Sequence, residues 1–167
     1  MIRENINLGI NFIILLLAQV LLFNKINAFG DLNPMVYLLF FIHYPTDRSQ
    51  TGFITAAFLL GFFIDFLSQG SGAHTLGALT VAFVRPFAIR QAFGSNIEIP
   101  PYLQEDPRML NRWLLIVELI LIHHFIYFTV VFWDITHIFS ILKNSFNTFF
   151  MSLILIALLI NFYPTKR

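Results

Sequence analysis

Between Phe58 and Pro86 the chain reads FLLGFFIDFLSQGSGAHTLGALTVAFVRP, two apolar runs joined by a glycine-serine turn, with an acid in the first run and an arginine in the second. An ionisable side chain at membrane depth costs about 2.5 to 3.5 kcal/mol on insertion scales, so each must find a partner or a water-lined site. Any fold open to this chain therefore has to supply partners for Asp65 and Arg85 inside an otherwise apolar hairpin.

The rest of the chain sets the solvent. Of its 167 residues 57% are hydrophobic and 11% charged, and mean hydropathy is +0.76, far from the balance of soluble domains. At about 20 residues per span there is room for five or six spans and little else. The expectation is one transmembrane domain over residues 1–167, an all-α polytopic bundle with no attached soluble catalytic domain. Cysteine is absent, which removes disulfides, thiolate nucleophiles and Cys-ligated metals. A net charge of +1 with dispersed basic residues points away from nucleic acid.

Six apolar segments are expected, at about 8–23, 35–44, 53–67, 75–93, 113–133 and 145–163. Helix is the default, because open sheet edges cannot be satisfied in lipid and the runs lack the alternation of a barrel. Trp113 and Trp133 stand about 30 Å apart along a helix and mark the two interfaces of the fifth segment. The second segment, between Pro34 and Pro45, rises only about 15 Å as a helix, which suits a short, tilted or re-entrant element. With six crossings, Arg3, Arg48, Arg85, Arg90, Arg108, Arg112, Lys166 and Arg167 lie on one side, against Lys25 and Lys143. The positive-inside rule makes the first side cytoplasmic, with both termini on it; if the second segment does not cross, only Arg3 and Lys25 exchange sides, which moves the N-terminus and leaves the C-terminus cytoplasmic. Cleavage of a signal peptide at Ile26-Asn27-Ala28 is the disfavoured alternative, for want of a strongly basic start.

Within the hairpin, Ala57 and Gly61, Ala73 and Gly77, and Ala78 and Ala82 are spaced four apart, which lets helix backbones approach closely. An Asp65–His74 hydrogen bond is expected to close the hairpin. Arg85 and Glu118 lie at matching depth, about 12 and 9 Å from their helix ends, and are expected to pair. Snorkelling of Arg85 to the headgroups is the alternative. Pro86 should kink its helix or end the regular part of it. His123 and His124 are adjacent and so address different faces, which argues against a metal site. His43 suggests an interfacial helix end. The segment 134–143 suggests a short element lying in the interface, and the Gly94–Asn111 loop a solvated connection. No hydrolase, metalloprotease or phosphate-loop motif is present, so no catalytic residue, cofactor or metal is assigned.

Pro34-x-x-Tyr37-Leu38-Leu39 with Pro45, Phe58-Leu59-Leu60-Gly61-x-x-x-Asp65-x-x-Ser68 and Gly72-x-His74 together resemble the rod shape-determining MreD family, in its small six-span form. The likeness extends over about residues 34–93, and the Arg85-Pro86 ending is similar to one branch of that family. It implies a non-enzymatic adaptor of the peptidoglycan elongation machinery in the bacterial cytoplasmic membrane. The implied partners are an MreC-like scaffold, an MreB-like filament, a RodA-type glycosyltransferase and a class B transpeptidase. It also implies a fold similar to the substrate-binding subunits of energy-coupling-factor transporters, so the alternative is a subunit holding a small metabolite near Asp65 and His74. The residues carried forward as structural or partner-interaction candidates are Pro34, Pro45, Gly61, Asp65, Gly72, His74, Arg85, Pro86 and Glu118.

Overall fold

A computed structural model of the chain describes residues 2–26, 33–95 and 98–160, excluding the side chains of Ile2 and Ile135. Among these residues there are six α-helices: α1 (Ile2–Leu21), α2 (Leu38–His43), α3 (Gln50–Ser68), α4 (Ala73–Phe93), α5 (Met109–Phe132) and α6 (Ile138–Leu159). No strand occurs among the described residues. Four of these helices, α1, α3, α5 and α6, are long and apolar enough to cross a membrane. At 21 residues α4 is as long, about 31 Å. It carries His74, Arg85, Arg90 and Gln91, however, and packs between α3 and α5 with Phe83 and Phe87 on its outer face.

Neighbours in sequence pack together: α3 on α4, α4 on α5, and α5 on α6, with α1 against α3. The apolar exterior includes Ile10, Ile13 and Leu17 of α1, Phe62 and Phe66 of α3, Phe83 and Phe87 of α4, and Ile154 and Leu158 of α6. Such a jacket, polar residues inside and large apolar ones outside, suits a lipid surround. Small residues meet where backbones approach. A Cβ added to Gly61 would lie 2.7 Å from His74 O and from Thr75 Cα, so the small-residue stripe is a packing device between α3 and α4.

The second segment is the centre of the molecule. Pro34 to Tyr44 is buried along its length, yet only Leu38–His43 is helical. Asn24 Nδ2 donates to Ser68 Oγ at 2.7 Å, which places the end of α1 beside the α3–α4 turn, the hairpin end. Thr46 N donates to Pro101 O at 2.8 Å and Arg48 lies 3.7 Å from Glu4, which places residues 46–48 at the opposite, loop end. The chain thus passes from one end to the other between Ile26 and Thr46, and of the described part, Asn33 to Thr46, only Leu38–His43 is α-helical. His43, expected at an interface, is instead buried, its Nδ1–H donating to Leu39 O at 2.8 Å.

Helix boundaries differ from expectation at polar ends. α1 begins at Ile2 rather than Leu8, because Arg3, Glu4 and Asn5 tolerate helix where apolar counting stops. α6 begins at Ile138, so most of the expected interfacial segment forms its first turns, after a 3-10 turn at Ile135–His137. Pro86 does not end α4. Its missing N–H leaves the Ala82 carbonyl without the usual helical donor, and Gln50 Nε2 from α3 supplies one at 2.7 Å. The expected end of the sixth segment, Lys166, Arg167, and Asn27 and Ala28 of the cleavage site lie outside the described residues.

Candidate functional site

At the hairpin end, α4 starts without a cap of its own, since its N-cap residue is Gly72 at φ +86°. The first N–H groups of a helix need acceptors, and in an apolar bundle water cannot provide them. Asp65 reaches across from α3. Its Oδ1 accepts from His74 N at 3.3 Å, and its Oδ2 from Thr75 N at 2.8 Å and Thr75 Oγ1 at 2.6 Å. A carboxylate at the positive end of a helix is also favoured by the helix dipole. The turn is built around it: Gly70 N donates to Asp65 O at 2.7 Å, and a Cβ at Gly70 would lie 2.6 Å from Asp65 Oδ1. The expected Asp65–His74 bond therefore exists through the His74 backbone, and the ring is used elsewhere.

That ring faces Tyr37. The buried Tyr37 hydroxyl lies 3.1 Å from His74 Nδ1 and 2.6 Å from His123 Nε2. One hydroxyl proton serves only one ring, so the other ring must donate to the phenol oxygen. His123 Nδ1 is buried without a partner among the described residues. An orphaned acceptor is tolerated better than an orphaned N–H, which favours His123 Nε2–H donating to Tyr37 and Tyr37 donating to His74. Gly77 makes room, for a Cβ there would lie 2.7 Å from His123 Nε2. Tyr127 completes the cluster, its ring 4.7 Å from that of His74.

The irregular backbone before α2 is tied down by two polar side chains. Gln19 Oε1 accepts from Val36 N at 2.8 Å and Tyr37 N at 3.4 Å, while its Nε2 donates to Pro34 O at 3.2 Å and Asn24 Oδ1 at 2.7 Å. Ser152 Oγ accepts from Met35 N at 2.9 Å and lies 3.1 Å from His124 Nε2. Because His124 Nδ1 lies 2.7 Å from the Ile120 carbonyl it must carry the proton, so Ser152 donates to Nε2. Non-helical backbone inside a membrane bundle is tolerated only where protein satisfies it, and Gln19 and Ser152 do so here.

At the loop end the expected Arg85–Glu118 pair is absent. Arg85 is 4% exposed, so it does not snorkel either. Its Nη2 donates to Tyr44 O at 2.5 Å, and the guanidinium stands 4.7 Å over the Phe53 ring, a cation–π contact. The reason is position: α2 brings the Tyr44 carbonyl within reach of α4, whereas Glu118 stays half-buried on α5. The loop beyond is more ordered than a solvated connection. Leu103 and Asp106 are buried, Arg108 forks onto both oxygens of Asp106, and Arg112 Nη1 donates to Gln104 O at 2.7 Å. The Arg108 bonds hold the Asp106 carboxyl below its ordinary range. Pro45 lies beside this loop, in a cavity of about 200 Å³ that Arg48, Pro101 and Tyr102 also line.

The hairpin end thus gathers Pro34, Gly61, Asp65, Gly72 and His74; Arg85, Pro86 and Pro45 belong to the loop end, and Glu118 joins neither. Gln19, Tyr37, His123 and Ser152 were not singled out as site residues. The signal for Gln19 was an amide within the apolar run 8–23, and for Tyr37 its place between two prolines. Among the described residues no group of three or more His, Asp and Glu could hold a metal ion. Comparison with family models, with curated proteins and with solved structures gives no match for this chain.

Proposed function

We propose that the protein is a non-enzymatic membrane adaptor of the MreD type, serving the peptidoglycan elongation machinery and cell shape. One observation carries this reading. The motif residues Tyr37, Gly61, Asp65, Gly72 and His74 meet in one place, and they spend most of their polar capacity on one another and on backbone. Residues used in this way fix a helix arrangement, as a part that works by presenting faces to partner proteins requires. The basic residues at the loop end, Arg48, Arg108 and Arg112 among them, support a cytoplasmic position for that end under the positive-inside rule. An MreB-like filament would then meet this end, and an MreC-like scaffold, a RodA-type glycosyltransferase and a class B transpeptidase the spans and the opposite end.

The second reading, a substrate-binding subunit with the energy-coupling-factor fold, draws on the unpartnered His123 Nδ1 beside Tyr37 and His74. Affinity purification of the tagged protein from native bacterial membranes in mild detergent, with mass spectrometry of what co-purifies, separates the two. Recovery of the scaffold with the wall synthases supports the adaptor. Recovery of an ATPase module overturns it in favour of the transporter subunit.

A further inference from the structure

Arg85 is a buried cation whose surroundings do not neutralise it. A guanidinium remains charged in proteins and offers five N–H donors. Among the described residues its one hydrogen bond is that of Nη2 to Tyr44 O, and its buried Nε has no partner there. No carboxylate among the described residues lies within ion-pair distance of it. Removing a charge from water without compensation is costly, so a buried arginine in this state is incomplete.

It lines a cavity of about 350 Å³ between α3, α4 and the turn after α2, with Arg48, Gln50, Phe53, Pro86 and Ile89. Two cations and no acid face this cavity, and Arg48 is already engaged with Glu4 at 3.7 Å. Gln50 has its Nε2 committed to Ala82 O, which leaves the Arg85 fork as the free donor group. Phe53, Pro86 and Ile89 make the remaining wall apolar. We propose that this cavity holds the phosphodiester of an anionic phospholipid, with the Arg85 guanidinium on the phosphate oxygens and an acyl chain along Phe53, Pro86 and Ile89. Basic pockets between spans near a membrane surface take lipid headgroups on these grounds, and the arginine fork matches phosphate geometry. No acid lines the cavity itself, so the Arg85 charge favours a net negative headgroup over a zwitterionic choline. This inference does not depend on the adaptor reading.

The test uses the full chain in neutral detergent, titrated with phosphatidylglycerol or phosphatidylcholine and observed by native mass spectrometry. The expected result is one retained phosphatidylglycerol per chain with about tenfold preference over phosphatidylcholine. Arg85→Gln should abolish the preference. Ile89→Trp, which fills the apolar wall and leaves Arg85 in place, should also reduce retention, and it keeps the test decisive if Arg85→Gln fails to fold. Equal retention of the two lipids by the wild type, or undiminished retention of phosphatidylglycerol by Ile89→Trp, overturns the proposal. Displacement of the lipid by millimolar inorganic phosphate overturns it as well, since the site would then belong to a soluble anion.

Discussion

Asp65 and Arg85 are buried charges near opposite ends of the same helix pair, and they are treated differently. Asp65 accepts from two backbone N–H groups and a hydroxyl, all at the start of α4. Arg85 has one carbonyl, one aromatic face and a bare Nε. The difference teaches that opposite charges at similar burial can play unlike parts. The acid completes backbone that the fold itself left unsatisfied, so the hairpin end is closed. The base is left short of partners, so the loop end is open to an added ligand.

The largest effect should come from Asp65→Ala. It strips the acceptors from the α4 N-terminus where water cannot replace them, and the expected loss is roughly 3 to 5 kcal/mol. Asp65→Asn retains one acceptor oxygen and should recover part of that. SDS-driven unfolding in mixed micelles measures both. Arg85→Met in the same assay should cost less than about 1 kcal/mol, since an apolar chain replaces an undercompensated charge. Equal losses at Asp65 and Arg85 would erase the contrast between the two ends.

Gly61→Ala comes next. The added methyl meets the His74 backbone, which cannot swing aside as a side chain can, so α3 and α4 must separate at a cost of about 2 kcal/mol. The separation also lengthens the Asp65 bonds, so Gly61→Ala and Asp65→Ala should be less than additive. Additive losses would mean that the glycine and the carboxylate act independently.

Tyr37→Phe should cost about 1 to 2 kcal/mol, because it removes the hydroxyl shared by His74 and His123 and leaves both rings short of a partner. A neutral result would show that the histidines bond to water, which would make the hairpin end wet and strengthen the transporter reading.

The small-residue stripe and the helix-bearing runs were legible because each depends on spacing along one helix. The second segment was legible as short, since Pro34 and Pro45 limit its length, but its burial was not. That depends on Gln19 and Ser152, 15 residues or more away in sequence, satisfying its backbone. Asp65 was legible as needing a partner, whereas the partner's identity was set by the absence of a capping side chain at Gly72, a property of the turn rather than of any pair of side chains. The same limit explains the error at Arg85. Depth along a helix can be counted from the sequence, but rotation about the helix axis relative to distant elements cannot.

Depth alone suggested Arg85 and Glu118 as partners, and the smallest expected effect concerns this pair. The arginine turns to Tyr44 O on the α2 side while Glu118 stays on α5, so the two share no partner. A double-mutant cycle with Arg85→Met and Glu118→Gln should give a coupling energy below about 0.5 kcal/mol, the range of independent sites. A coupling of 1 kcal/mol or more, by that same criterion roughly twice what independence allows, would mean that the acid approaches the arginine in solution. Arg85 would then be neutralised from within the bundle, the loop end would be closed like the hairpin end, and the cavity would lose the charge that draws a lipid phosphate to it.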